Sequence, residues 1–266
     1  MKVHFVGDVS LGEHYFSFGH GPRSNLENTD FFSSVKPLLE SADFTIGNLE
    51  GPISDHGYIP GEPESKVFRG APTSAKILKQ AGFNIMSLAN NHSIQHGKEA
   101  FFESQRLLEA EGIDVIGVKD QGFTVLTQND VTVALFSCSN VPDNTNTKQG
   151  YYESFNLDKI TNSISEIKSK VDWVILYFHW GLESQSSATE EQKQLAKVLH
   201  AAGVDILVGH HPHIFYEVLL EGTNLTAYSL GNFVFDLPWD EKLLNSGVLE
   251  INFSKNSISP IVHTVK

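Results

Sequence analysis

Val204-Asp205-Ile206-Leu207-Val208-Gly209-His210-His211-Pro212-His213 decides the reading of this chain: a short apolar run, a glycine, then three histidines in four residues. A β-branched run that stops at glycine predicts a buried strand delivering imidazoles to a sheet edge. Imidazole is the commonest metal ligand near neutral pH, being uncharged over much of that range with a lone pair on either ring nitrogen. A single histidine here would be an ordinary core or surface residue. Three together make metal binding a serious alternative, and the other strand ends decide between the two.

Working outward, Trp173-Val174-Ile175-Leu176-Tyr177-Phe178 is a second apolar run, and it ends at His179-Trp180-Gly181. Near the N-terminus, residues 3–6 form a short apolar strand that stops at Gly7-Asp8. Phe44-Thr45-Ile46 leads into Gly47-Asn48-Leu49-Glu50-Gly51, where period-two alternation puts Asn48 and Glu50 on one side. Residues 83–88 lead into Ala89-Asn90-Asn91-His92. Ligands of α/β proteins sit at the carboxyl ends of strands. Such ends here carry Asp8, Asn48 with Glu50, Asn91 with His92, His179, and His210 with His211 and His213. This mixture of carboxylate, amide and imidazole suits manganese, iron or zinc, and shared carboxylates permit a two-metal site.

Helical spacing over 31–39, 73–81, 97–111, 157–171 and 189–202 alternates with these strands. Residues 123–127 and 131–137 flank Gln128-Asn129-Asp130 as a hairpin, and 214–220, 225–230, 248–253 and 258–262 predict a later, largely antiparallel set. Long loops are expected at 13–30, 52–70 and 139–153; Pro52, Pro60 and Pro63 exclude a regular helix from the second. The rhythm predicts an α/β protein of two packed sheets with helices outside them, in one domain over 1–266.

With 19 basic and 32 acidic side chains the formal charge is −13. That balance weighs against long-range attraction to nucleic acid or to an anionic membrane. An anionic substrate then needs local positive charge, which bound metal ions supply. The one cysteine, Cys138, follows Val133-Ala134-Leu135-Phe136-Ser137 and reads as a buried strand residue, so neither an internal disulfide nor a thiolate cage is available. No window approaches the length of a membrane span, and Met1 opens the chain without an apolar leader; the expectation is a soluble, cytoplasmic protein.

Taken in order, Gly7-Asp8 with Leu11-Gly12, Asn48-Leu49-Glu50-Gly51, Leu88-Ala89-Asn90-Asn91-His92, His179-Trp180-Gly181, Gly209-His210-His211-Pro212-His213 and Tyr228-Ser229-Leu230-Gly231-Asn232-Phe233 resemble the calcineurin-like metallophosphoesterases. Within them, the chain resembles the CapA or poly-γ-glutamate capsule-synthesis family. The resemblance implies a four-layer α/β/β/α sandwich, two mixed β-sheets flanked by helices, with two divalent metal ions at the strand ends. It implies Asp8 as a ligand of the first metal, with His213 chosen to return to it and His211 as the alternative. Asn91, His179 and His210 would serve the second metal, and His92 would protonate the leaving group or steady transition-state charge. Two departures fall on the first metal position: Ser10 stands where the superfamily has a histidine ligand, and Asn48 where it has a bridging aspartate. Glu50, on the same side as Asn48, is expected to supply the missing charge. Gln95 and Tyr216 stand where the capsule family often has an acidic residue and a glutamine.

Arg69 is expected to clamp a phosphate or carboxylate with its planar fork, and Asn232, Asn48 and His211 to line the substrate pocket. The implied function is metal-dependent hydrolysis of a phosphoester in a small anionic phosphorylated or carboxylated substrate, in capsule or cell-surface polymer synthesis, with capsule-synthesis proteins as partners. Its alternatives are a non-catalytic metal-binding accessory protein of such a system and an amidase that cleaves γ-glutamyl bonds.

Overall fold

A computed structural model describes residues 1–145 and 150–265. The first half of the chain gives β1 (Lys2–Val9), α1 (Pro22–Asn25), α2 (Lys36–Leu39), β2 (Phe44–Leu49), α3 (Ser74–Ala81), β3 (Ile85–Ser87), α4 (Gly97–Ala110) and β4 (Asp114–Ile116). A hairpin of β5 (Phe123–Gln128) and β6 (Val131–Ser139) follows, then α5 (Leu157–Ile167), β7 (Trp173–His179), α6 (Glu190–Ala201) and β8 (Ile206–His210). The chain closes with β9 (Val218–Glu221), β10 (Asn224–Ala227), β11 (Asn232–Val234), β12 (Ser246–Phe253) and β13 (Ile258–Val265).

One sheet runs β13-β12-β1-β2-β3-β4, with β11 joining beside β1, and the other runs β5-β6-β7-β8-β10-β9. Period-two alternation sorts their side chains into layers. Val3 and Phe5 of β1 meet Ile175 and Tyr177 of β7 and Val208 of β8 between the sheets. Val6 and Val9 face the other way, into a cluster with Leu78 of α3 and Phe101 and Leu108 of α4. Val174, Leu176 and Phe178 likewise turn outward against Ile160 and Ile164 of α5 and Leu199 of α6. This is the four-layer α/β/β/α sandwich that the resemblance implied, and both sheets are mixed.

Several boundaries have local causes. The helix expected over 31–39 contracts to α2, because Pro37 is tolerated only in a first turn. α3 ends at Gly82, whose φ of 106° is the left-handed C-cap that glycine supplies. α6 opens with a capping box between Thr189 and Gln192. The late strands depart from the expected antiparallel set: β10 pairs parallel with β8 and β11 parallel with β1, while β9, β12 and β13 are antiparallel additions. They are divided between the sheets, a long-range choice that local patterning does not encode. Of the loop expected over 139–153, residues 146–149 lie outside the described residues. Among the described residues no helix is long and apolar enough to cross a membrane.

The outer face of β1, β12 and β13 carries a buried ionic cluster. Glu250 Oε2 lies 3.2 Å from His4 Nε2 and 3.1 Å from His263 Nε2, and its Oε1 accepts from Asn252 Nδ2 at 2.7 Å. Burial alone would raise this carboxyl, but Asn252, His263, His4 and Lys2 together hold it at about 2, against an ordinary 4.5. A carboxyl depressed in the folded state contributes stability that is complete above its unfolded value and is lost as pH falls through the folded one. Wild-type protein should therefore lose more melting temperature than Glu250→Gln as pH falls from about 5 to about 2. Parallel melting curves for the two proteins would show that Glu250 is not coupled to acid stability.

Candidate metal centre

The carboxyl ends of the parallel strands meet across the two sheets. In the first sheet Asp8 is the register partner of both Asn232 and Asn48, and Asn48 is in turn paired with Ser87. In the second, His179 pairs with His210 on one side and Ser139 on the other. Two glycines permit this approach. A Cβ on Gly7 would lie 2.0 Å from the Gly231 carbonyl oxygen, and one on Gly209 would lie 2.1 Å from that of Tyr228. Beyond Gly209 the chain turns through His211 and His213, whose φ values of 97° and 61° are rare for residues with a Cβ. Strain of this kind persists where the surroundings over-determine it, often at ligand sites.

Asp8 is fully buried and heavily held: Asn48 Nδ2 donates to it at 2.8 Å, the His211 backbone N–H at 3.1 Å, and His210 Nδ1 lies 3.1 Å away. Burial would raise its pKa, but the His210 contact and the imidazoles of His213 and His179 outweigh that and hold it below the carboxylate range. Glu50 is its opposite. It is equally buried, yet neither carboxylate oxygen has a hydrogen-bond partner among the described residues. Burial first, then the Asp8 carboxylate, push Glu50 well above its ordinary pKa. A buried carboxylate without donors costs several kcal/mol unless a cation or proton compensates it, and a divalent cation does so without a proton.

The donors around Glu50 fall into two sets. Asp8, Glu50 and His213 bring ligand atoms within 4.8 Å of one another, and so do Glu50, His179 and His211. Glu50 belongs to both. His213 Nε2 lies 3.7 Å from Glu50 Oε1, while its Nδ1 lies 2.8 Å from the Asn232 amide oxygen. Asn232, expected in the substrate pocket, thus orients a ring, as partners behind a metal ligand do. Asn91 Oδ1 lies 2.8 Å from His179 Nε2, at the edge of the second set. Asn48 spans Asp8, the Asn90 amide and His179 Nδ1, the last at 3.3 Å, and so acts as framework.

His210, expected as a ligand, meets Asp8 through Nδ1 and joins neither donor set, although its buried Nε2 has no hydrogen-bond partner among the described residues; His211, expected at the substrate, joins the second. Spacing alone could not separate adjacent histidines, because the positive φ at His211 sets which ring faces the cluster. Arg69, expected as an anion clamp, is 2% exposed and donates to the backbone carbonyls of Ser54 and His56. It fastens the 52–70 loop instead, next to Arg23, which donates to the Gly70 carbonyl at 2.7 Å.

His92 sits at the edge of the cluster, its Nε2 3.8 Å from Glu50 Oε1 and its Nδ1 2.6 Å from Gln95 Oε1. Burial lowers its pKa to about 3, against the opposing pull of Gln95, so the isolated ring is neutral. With Nδ1–H donated to Gln95, Nε2 carries the lone pair, and the Asn144 Nδ2 amide lies 3.1 Å from it. Three residues at the site were not anticipated. Asn144 bridges Asn91 and the His92 ring, Glu183 forms a third donor set with His211 and His213, and His14 lines a neighbouring cavity. Glu183 lies four residues beyond His179 on an exposed loop, where a lone glutamate gives no signal. A cavity of about 530 Å³ around Leu26, Phe31 and Ile77 contains none of these residues.

Residues 2–237 match the family of bacterial capsule synthesis proteins PGA_cap. The chain belongs to that family. It is 27% identical over 271 residues to the PGA biosynthesis protein CapA of Bacillus subtilis (strain 168), covering 96% of this chain and 68% of that one. It is 31% identical over 254 residues to the capsule biosynthesis protein CapA of Bacillus anthracis, covering 90% of this chain and 61% of that one. This PGA_cap chain thus spans about two thirds of their length. The NAD nucleotidase of Haemophilus influenzae superposes with a TM-score of 0.61 at 12% identity, covering all of this chain and 56% of that one. That likeness is one of fold, the calcineurin-like metallophosphoesterase sandwich.

Proposed function

We propose that this capsule-family protein is a metal-dependent phosphoester hydrolase that holds two divalent cations through a shared glutamate. One observation carries the reading: Glu50, buried and without a donor to either oxygen among the described residues, belongs to two donor sets. Asp8 and His213 would hold one cation and His179 and His211 the other, with Asn91 beside the second and Glu50 between them. The bridging position that Asn48 cannot fill with charge is thus supplied two residues on, from the same face of the chain. Manganese, iron and zinc all suit such a set. Two cations of this kind polarise phosphoryl oxygens and lower the pKa of water from about 15.7 toward 7.

The chain's own residues divide the remaining work. Water oxygen bonds to phosphorus as the ester P–O bond breaks, and the electron pair leaves with the alcohol oxygen. His92 Nε2, protonated from solvent beside a phosphoryl dianion whose negative charge favours the charged ring, would deliver that proton to the leaving oxygen, while the attacking water gives up its own proton to solvent. Gln95 is a positioning residue, fixing the ring through Nδ1. The substrate is a small anion bound by its phosphoryl group, and the names of the relatives support a role in the synthesis of a capsular polymer. The test is hydrolysis of a panel of phosphomonoesters and phosphodiesters by protein loaded with manganese or zinc, before and after chelation. Turnover that falls with chelation and returns with metal supports the reading. Metal-loaded protein inert toward the whole panel would overturn it in favour of an accessory metal-binding role.

A further inference from the structure

Beside the cluster lies a cavity of about 230 Å³ with one wall of rings, His14, Tyr15, Phe68, Phe235 and Trp239, while His92, His213, Asn144, Glu183 and Ser184 line the side toward the cluster. The rings follow one another outward. Phe68 stacks on His92 with centroids 3.8 Å apart and planes at 26°. His14 stands edge-on to Phe68 at 5.6 Å, Trp239 lies 4.8 Å from His14, and Phe16 lies 5.9 Å from Trp239. The series begins at a buried imidazole and ends in solvent, where Tyr15 is 49%, Phe16 83% and Trp239 55% exposed. Clustered exposed aromatic surface beside a cleft marks a binding site more often than idle surface.

These rings are not held open by their own packing. The His14 backbone N–H donates to Asp236 Oδ2 at 3.1 Å, and the Ser17 hydroxyl donates to the same oxygen, so the 13–20 and 235–243 segments are fastened to each other. Glu13 accepts from the Gly19 N–H at 2.8 Å and from the Ser24 hydroxyl, closing the first segment on itself. The walls are preformed, and binding then spends little on ordering them.

We propose that this cavity is the leaving-group subsite, and that it takes a phosphomonoester whose alcohol carries one flat, uncharged ring. The inference rests on the hydrolase reading, because His92 marks the side on which the alcohol departs. The cavity is smaller than the roughly 300–1,000 Å³ of sites for drug-sized ligands, so it suits a single ring and not a length of polymer. Each aromatic contact of this kind is worth about two- to tenfold in affinity.

Benzylphosphonate and ethylphosphonate, which cannot be hydrolysed, are titrated by calorimetry into manganese-loaded protein. Benzylphosphonate should bind at least about tenfold more tightly, and the preference should fall below about twofold in the Tyr15→Ala/Trp239→Ala protein. Trp173 and Trp180 are buried, so tryptophan emission that responds to benzylphosphonate and is silent in Trp239→Phe places the ligand. Equal affinities in the wild type, or a preference that survives the double variant, would overturn the proposal. Rates on benzyl and ethyl phosphate, both of which release alkoxides, separate the two claims. A ring preference in binding without turnover of either ester sinks the hydrolase and keeps the ring site. Equal turnover of both without a binding preference keeps the hydrolase and sinks the ring site.

Discussion

Glu50→Gln protein, soaked in manganese and desalted, is expected to retain at most one metal equivalent where the wild type retains two, and to lose about 10² to 10³ or more in phosphatase rate. Glutamine has the same shape but brings no charge, and Glu50 belongs to both donor sets. The variant is not expected to unfold. Without metal, burial and the Asp8 carboxylate raise the Glu50 pKa well above 4.5. A carboxyl raised in the folded state opposes folding once pH passes its unfolded value, so a neutral amide removes a penalty at pH 7. Metal-free Glu50→Gln should melt no lower than the metal-free wild type. What it should lose is the rise in melting temperature on adding manganese, which for a ligand at 100 times its Kd corresponds to about 2.7 kcal/mol. Two retained equivalents would remove Glu50 from the centre of the site. A metal-free variant that melts far below the wild type would mean that Glu50 is structural.

His92→Ala is expected to keep both equivalents and to slow turnover by about 10² to 10⁴, the range for a lost general acid. His92 is in neither donor set, and its Nε2 stands 3.8 Å from Glu50 on the cavity side. The loss should be smallest for substrates whose leaving group is a good one, since a weakly basic oxygen needs no proton. A uniform loss across leaving groups would assign His92 to transition-state charge instead. Unchanged turnover would leave it as the partner of the Phe68 ring and nothing more.

Much of the candidate site could be read from the chain because the donor residues lie at or just beyond the ends of apolar strands. Asp8, Glu50, His179 and His213 follow from where runs such as 173–178 and 204–208 stop, and the alternation that puts Asn48 and Glu50 on one side places both at the cluster. What could not be read depends on backbone angles and tertiary contacts. That His211 and not His210 joins a donor set accompanies a positive φ at His211, which spacing does not show. Arg69 looked free to bind an anion, but it is buried and its Nη1 donates to carbonyls of its own loop, contacts that sequence spacing does not reveal. The fold shows the same division. Strand and helix positions followed from periodicity, whereas the parallel docking of β10 on β8 and β11 on β1 is decided by partners far away in the chain.

The ring-lined cavity was the least legible feature. His14, Tyr15 and Phe16 lie in a stretch without period, and Trp239 comes more than two hundred residues later. Only the fastening of both segments at Asp236 brings them to one side of His92.

The central claim is a pair of cations joined by Glu50, and anomalous diffraction from manganese-soaked crystals tests it most directly. Two anomalous peaks are expected about 3.5–4 Å apart, one against Asp8 and His213, the other against His179 and His211, with Glu50 touching both. A single peak, or two that Glu50 does not join, would contradict it.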